Sequence, residues 1–382
     1  METAAAAAQI YLGPQSARRI GRYKAMSNVK QDEKKIWAPI LLKWYHAHRR
    51  DLPWRGDFPR DPYHVWVSEI MLQQTKVEAV KPYYDSWMEQ FPTMQALAAA
   101  SQDDVLRQWQ GLGYYSRARN LHEAVQEVVS SYGGKVPDTK KDILSLKGIG
   151  EYTAGAILSM AYGEPEVAVD GNVLRVFARL YNISGNVLSA PIKKQIIALA
   201  QAQIPAAQAG PFNEALMDFG AMVCIPKSPR CSECPLTTYC QAKKAGTEKK
   251  LPLRITKKHI PTEHIAVCVL SQQQCWLIHR RPAKGLLASM WEFPNVIGSG
   301  TAGQTALQQL LSSVGLCVDI DPAPTGTIKH VFSHKIWQMT LYEGHLTGGT
   351  LQTKEDWQWL PKREYTSVPW AGPHGKITVM AE

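Results

Sequence analysis

One stretch limits the folds open to this chain more than any other. It is Leu146-Lys-Gly-Ile-Gly-Glu-Tyr-Thr-Ala-Gly-Ala156, followed at short distance by Val169-Asp-Gly-Asn172. Two glycines flank one apolar residue between an apolar run ending at Leu146 and a helical run from Tyr152, so the chain can turn tightly with no Cβ in the way. The helix that follows starts with unpaired amide groups at the positive end of its dipole, which makes a site for an anion. With Gly148 and Gly150 at the turn, a phosphodiester can approach the main chain closely. The stretch therefore predicts a helix-hairpin-helix holding DNA backbone. A Gly-x-Gly turn also serves as a plain connection between helices; Asp170, an acid in an apolar and Gly/Asn context one short helix downstream, favours the DNA reading. Gly111-Leu-Gly-Tyr-Tyr-Ser116 repeats the form of Gly148-Ile-Gly-Glu-Tyr-Thr153, which suggests two hairpins on one duplex.

A chain of 382 residues has room for two or three domains, and 45% hydrophobic content fits a soluble, globular protein. No apolar run approaches the ~20 residues of a membrane span, so no membrane partner is expected. The net charge of +10 suits a polyanionic partner without naming one. Four of the seven cysteines bunch between positions 224 and 240 and three (Cys268, Cys275, Cys317) are scattered, a pattern of metal binding rather than a disulfide framework. A reducing compartment follows, and the expected location is cytoplasmic, bacterial and nucleoid-associated. Residues 1–30 are Ala-rich with Arg18, Arg19 and Arg22, and read as a disordered tail. A transit peptide shares that composition.

Apolar residues recur three and four apart from Lys34 to about Leu199, and no clear strand interrupts them. This predicts an all-α domain over 31–223, with the cysteine loop at 224–240 and a charged linker at 241–262. The pattern then changes. Positions 264 to 270 and 275 to 279 are β-rich around a Gln-rich turn, 305 to 314 reads as a helix, and 335 to 342 alternates like a strand. The expected remainder is an α+β domain at 263–382.

Glu69 lies in Val65-Trp-Val-Ser-Glu-Ile-Met-Leu72, an apolar helical run with one carboxylate. Either the helix turns Glu69 to solvent, or the acid is buried and desolvation keeps it protonated near neutral pH, ready to donate. Asp170 complements the second reading. One acid that protonates a leaving group and one carboxylate that faces a cationic sugar are what breaking a glycosidic bond requires. The spacing Cys224-x6-Cys231-x2-Cys234-x5-Cys240 points to a metal, zinc on four thiolates or a 4Fe-4S cluster. Lys227 and Arg230 in the first loop are candidates for phosphate contact.

These motifs together resemble the endonuclease III superfamily of DNA glycosylases, and within it the MutY family, which removes adenine opposite 8-oxoguanine. The resemblance runs from about Ile36 to the end of the chain. It implies a multidomain protein: an all-α helix-hairpin-helix glycosylase domain with an iron-sulfur (4Fe-4S) cluster on the four cysteines, and a Nudix-like α+β domain that recognises the lesion. By the same resemblance Glu69 is the general acid, Asp170 stabilises the sugar cation, and Tyr152 and Asn172 share the pocket. Arg55 in Leu-Pro-Trp-Arg lies near the lesion, Gln74 and Thr75 sit at the mispair, and Gly113-Tyr114 with Leu112 forms the wedge that enters the base stack. Phe332-Ser333-His334 matches the loop that contacts 8-oxoguanine. Bifunctional members of the superfamily carry a Schiff-base lysine two residues after the second hairpin glycine; here that place is Tyr152, so base release without strand cleavage is expected. Lys147, inside the hairpin, replaces the usual proline. A working Nudix hydrolase needs a helix of metal-binding glutamates. The segment Thr305-Ala-Leu-Gln-Gln-Leu-Leu-Ser-Ser313 has none, which leaves recognition as the role of that domain. The implied partner is double-stranded DNA bearing adenine opposite 8-oxoguanine or guanine, bound by a monomer. A glycosylase with lyase activity and a lesion-binding protein without turnover are the alternatives.

Overall fold

The structure, a computed structural model, describes residues 37–255, 260–352 and 356–380. The tail expected over 1–30, and the start of the helical run at Lys34 and Ile36, lie outside the described residues. The helices in chain order are α1 (Ala38–His48), α2 (Pro62–Leu72), α3 (Val77–Gln90), α4 (Met94–Ala99), α5 (Gln102–Gln108), α6 (Ser116–Ser131), α7 (Lys140–Ser145), α8 (Glu151–Ala161), α9 (Gly171–Leu180), α10 (Ala190–Gln203), α11 (Ala209–Met222) and α12 (Gln241–Lys244). Eight strands follow, β1 (Thr262–Gln272), β2 (Cys275–Arg280), β3 (Trp291–Glu292), β4 (Asn295–Ile297), β5 (Leu316–Ile320), β6 (Gly326–Val331), β7 (Ile336–Gly349) and β8 (Trp357–Pro361). Between and after them run α13 (Gly300–Ser312) and α14 (Gly372–Met380).

The chain divides into two compact units, 37–50 with 163–253 and 51–162 with 254–380. The core of the first joins Leu41 and Tyr45 of α1, Val173, Val176 and Phe177 of α9, and Phe212, Leu216 and Phe219 of α11. Their three-and-four spacing is the apolar stripe that drives helix packing. The stretch 241–253, expected as linker, belongs to this unit and is anchored to it at Ala242 and Leu251. Leu251 is buried, its carbonyl accepts from Arg179 Nε at 2.9 Å, and Leu253 bridges to Asn186. A buried guanidinium needs fixed acceptors, and the main chain supplies them where the side-chain pattern shows only charge.

In the second unit, Asp61 caps α2 by accepting from the Tyr63 and His64 amides at 2.8 and 3.2 Å, with Pro62 in the first helical position. Helix α2 is buried from Val65 to Met71 and packs against α8 and α6. The sheet is built on β1, parallel to β7 over nine residue pairs and antiparallel to β4 and, at its tip, to β2. Alternate residues of β1 face opposite cores: Ile265 and Val267 meet Trp337 and Trp370, while Ala266, Cys268 and Leu270 meet Leu307 and Leu311 of α13. Helix α13 begins at Gly300, five residues before the periodicity suggests. Its first turn is glycine-rich because Gly303 lies against Ala266, whose Cβ would stand 2.9 Å from an added one. Contacts within this unit join the sheet domain to the helices: Arg119 Nη1 donates to Ala288 O at 3.0 Å, Trp370 N to Gln110 Oε1 at 3.4 Å, and Arg280 pairs with Asp103.

Candidate catalytic and DNA-contacting site

Glu69 is 5% exposed, within the buried run of α2, so the helix does not turn it to solvent. The Tyr152 hydroxyl, from the first turn of α8, donates to its Oε2. The next residue, Thr153, accepts from Gln73 Nε2 at 3.3 Å, which ties the end of α2 to the same helix. Small residues make this approach close: Ala154, Gly155 and Ala156 follow on the buried part of α8.

The hairpin leads into α8. Gly148 has φ 81°, and a Cβ there would stand 2.7 Å from the Asn120 Cβ, so only glycine fits. Gly150 is the N-cap of α8 with ordinary extended φ of −108°. Both glycines are exposed, and Ile149 between them is buried. Lys147 is occupied on the surface by Glu123. The earlier glycine pair behaves differently, although its sequence has the same form. Gly111 and Gly113 both have positive φ (104° and 71°), and the left-handed backbone continues into Tyr114 at 49°. A non-glycine residue there costs about 1–3 kcal/mol and persists only where its surroundings enforce it. The strain puts the Tyr114 ring, 42% exposed, outside a turn whose Leu112 is buried. Gln74 is the second such residue, exposed at φ 59° just past α2, with Thr75 half-buried beside it. Gln74, Tyr114, Lys147 and Gly148 line one cavity. Arg55 lines another, with Trp54, Asp57, Arg60 and His64.

In the other unit, Asp170 is the N-cap of α9 and accepts from Val173 N at 2.7 Å and from Asn172 Nδ2 at 2.7 Å. Burial raises its pKa, against these two hydrogen bonds and the Arg175 charge, which favour the carboxylate. Arg175, which the sequence reading passed over, extends the chain of contacts. It donates to Asn172 Oδ1, to Gly220 O and to Cys224 O, each at 2.8 Å. Arg179 continues it with Cys224 Sγ at 3.4 Å, Ile225 O at 2.7 Å and Pro226 O at 2.7 Å. The signal that singled out Glu69, one charge in an apolar helix, was present twice in Val173-Leu-Arg-Val-Phe-Ala-Arg-Leu180.

Cys224, Cys231, Cys234 and Cys240 line a common cavity with Val176, Arg179 and Leu236's neighbour Thr237. Among the described residues no three such groups close on a single ion. Burial pushes Cys234 up to about 12 and also raises Cys231 and Cys240, so thiolates form there with the cations they ligate. Four soft donors, with one sulfur already accepting from an arginine, fit an iron-sulfur cluster. Lys227 and Arg230 are exposed in the loop between the first two cysteines.

In the sheet domain the Phe332 amide donates to Lys335 O at 2.8 Å, closing a tight turn that leaves Ser333 and His334 exposed. Phe332 packs edge-on against Trp337, ring centroids 5.1 Å apart. Trp337 Nε1 and Lys335 Nζ both donate to Glu263, at 2.9 and 2.7 Å. Glu292, the carboxylate that remains in the Gly285 to Pro294 segment, is engaged by Arg281 Nη1 at 2.8 and 2.7 Å.

The class that these units define is that of the base excision repair proteins built on a helix-hairpin-helix. The family model for the "HhH-GPD superfamily base excision DNA repair protein" matches residues 67–205, the "Iron-sulfur binding domain of endonuclease III" matches 224–240, and a NUDIX domain matches 266–379. A solved structure of a thermostable thymine-DNA glycosylase is similar to 57% of the chain and to all of that protein, with 30% identity and a TM-score of 0.52. Within that class the chain belongs to the adenine DNA glycosylases. The human adenine DNA glycosylase is 36% identical across 85% of this chain and 70% of its own length; that of Buchnera aphidicola from Schizaphis graminum is 37% identical across 68% and 75%. The chain is accordingly a DNA-binding base excision repair glycosylase with a 4Fe-4S cluster site on its four clustered cysteines. Purified anaerobically, it is expected to hold iron and inorganic sulfide and to absorb broadly near ~400 nm. Zinc without sulfide would contradict this, and Cys231→Ser is expected to lower the yield of folded protein more than the chemistry of what folds.

Proposed function

We propose that this glycosylase removes adenine from mispairs with 8-oxoguanine or guanine by hydrolysis alone, with Glu69 as acid and Asp170 as the electrostatic partner of the sugar. The reading rests most on Glu69, a buried carboxyl on an apolar helix that meets a tyrosine hydroxyl where a lyase would place an amine. Glu69 protonates N7 of the extruded base; the glycosidic bond then breaks toward an oxocarbenium-like sugar, and Asp170 offsets that charge. Asp170 is held for this task by Val173 N and Asn172, whose orientation Arg175 fixes. Cys224, at the far end of that hydrogen-bond chain, is one of the four thiols that would hold the cluster, which would there serve to hold the fold together. Opening a weakened mispair costs less than opening a Watson-Crick pair, which supports selection of mispaired adenine.

The 8-oxoguanine preference is assigned to Phe332-Ser333-His334, supported by Arg55, Gln74, Thr75 and Leu112. 8-Oxoguanine turns N7 into a donor and adds an acceptor oxygen at C8; the exposed Ser333 hydroxyl can accept from the first and a main-chain amide can serve the second. The domain limits that go with this reading are 31–223 for the glycosylase domain, 224–240 for the cluster loop and 263–382 for lesion recognition. The protein acts as a monomer in a reducing compartment, at the nucleoid of a bacterial cell.

The test is single-turnover reaction of the holoenzyme on duplexes with adenine opposite 8-oxoguanine or guanine. Free adenine should appear with the strand intact until alkali is added; strand breaks in step with base release would point to a lyase, and no free adenine to a binding protein. Changing Ser333 and His334 together to Ala should keep adenine release but narrow the 8-oxoguanine preference by about 1 to 3 kcal/mol. An unchanged ratio of rates would move the discrimination to Arg55, Thr75 and Leu112.

A further inference from the structure

We propose that Arg117 is a positioning residue that locks the wedge turn at 111–115 and the turn after α2 into one register, so that opening the base stack and reading the mispair occur together. The proposal rests on the site reading above and concerns how its parts are coupled. Arg117 lies buried in the first turn of α6. Its Nη1 donates to Ile70 O at 2.7 Å, Met71 O at 2.9 Å and Gln73 O at 2.6 Å. Those carbonyls end α2, where intrahelical donors run out and a cation meets the negative end of the helix. Its Nη2 donates to Thr75 Oγ1 at 3.3 Å, Leu112 O at 3.3 Å and Gly113 O at 3.1 Å.

One side chain thus holds both turns, and it holds them at the strained points. Gln73 O and Gly113 O are the carbonyls directly before Gln74 and Tyr114, the two left-handed non-glycine residues of this region. The guanidinium lies 5.2 Å from the Trp109 ring centroid and 5.5 Å from that of Tyr114, so the wedge ring rests on the cation that fixes its backbone. None of these hydrogen-bond partners is a carboxylate, and burial, opposed by Tyr114, lowers its pKa to about 10. A buried arginine that serves neutral oxygens on two elements is spent on geometry rather than on ion pairing. Lysine, a point donor on a flexible stem, can reach one set of acceptors but not both.

The holoenzyme, Arg117→Lys and Arg117→Gln are compared on two duplexes. In the first, adenine faces 8-oxoguanine with 2-aminopurine stacked beside the lesion; in the second, adenine faces an abasic site, where no opposite base has to be read. Wild type should raise 2-aminopurine fluorescence on binding an unreactive 2′-fluoroadenosine version of the first duplex. Both variants should bind it but lose most of that rise, and their single-turnover rates should fall about ten-fold or more on the first duplex. On the second duplex the loss should be no more than about two-fold. Equal losses on the two duplexes, or full recovery by lysine, would overturn the proposal. Hydrogen exchange of the wild-type chain covers failure of the arginine variants to fold: the amides of 73–75 and 111–115, held by one side chain, should open together, and independent opening of the two turns overturns the proposal as well. Absence of adenine release by wild type itself would instead overturn the site reading, and the proposal with it.

Discussion

Glu69→Gln is expected to bind mispaired DNA much as wild type does and to lose single-turnover adenine release by about 10²–10⁴-fold. Glutamine matches the volume of the side chain it replaces, and its carbonyl oxygen can still accept from Tyr152, so the packing of α2 on α8 is kept. What is lost is the acidic proton. Adenine is a poor leaving group unless a ring nitrogen is protonated, and an amide cannot protonate it. A single-turnover time course, paired with a binding titration on an unreactive adenine analogue, separates the two effects. A wild-type rate in this variant would remove Glu69 from the chemistry and leave its burial as a structural fact.

The sequence carried this residue clearly because a lone carboxylate in an apolar helical run stands out. The same signal marks Glu214 and Asp218 in α11, which are as deeply buried, yet the first accepts from Tyr45 at 2.6 Å and the second pairs with Arg50 at 2.7 Å. Periodicity finds buried charge without telling structural from chemical use, and a tyrosine partner does not separate them either, since Glu69 and Glu214 each accept from one. Arg117, Arg175 and Arg179 were overlooked for a related reason. Most of their acceptors are main-chain carbonyls brought together by tertiary packing, and carbonyls leave no trace in a residue string. The two glycine hairpins show the opposite failure. Their sequences match in form, but Gly150 sits in extended backbone at a helix N-cap while Gly113 and Tyr114 are left-handed. Glycine permits several conformations, so its spacing records that a turn exists and leaves its kind to the neighbours. The cysteine spacing, by contrast, was fully legible, since a metal site needs donors that only a few residue types provide.

Replacing Glu292 by leucine is expected to destabilise the sheet domain by about 1–3 kcal/mol, because it strips the half-buried Arg281 of its counter-charge. Glu292 is 2% exposed, held by Arg281, with His279 Nε2 at 3.2 Å from one oxygen and His374 Nε2 at 3.4 Å from the other. His374 Nδ1 accepts from the Phe293 amide, so its proton is on Nε2, facing the carboxylate. Burial on its own raises the Glu292 pKa, but the neighbouring His279, His374 and Arg281 outweigh it and bring it down to about 2. Burial lowers His374 to about 4. Both shifts have the same consequence in acid. An unfolded chain takes up protons on histidine near ~6.5 and on glutamate near ~4.3, before the folded domain does, so it gains at the fold's expense as pH falls. Histidine weakens the fold from about pH 6.5 down to about 4, and glutamate from about 4.3 down to about 2, while above about pH 6.5 both contributions are complete. Thermal melting of the full chain followed by tryptophan fluorescence, across that range, should show a falling midpoint for wild type. Glu292→Leu should show a low midpoint at pH 7 and a flatter profile below pH 4.3. The double variant Glu292→Leu with Arg281→Met should recover most of the loss, since neither charge is then left buried alone. If the Ser333-His334 turn reads the lesion as proposed, the double variant should still lower the 8-oxoguanine preference, because Arg281 lies 5.5 Å from the Trp337 ring centroid and Trp337 carries Phe332 at the base of the turn. A single variant as stable as wild type at pH 7 would show that the buried network does not hold the domain together.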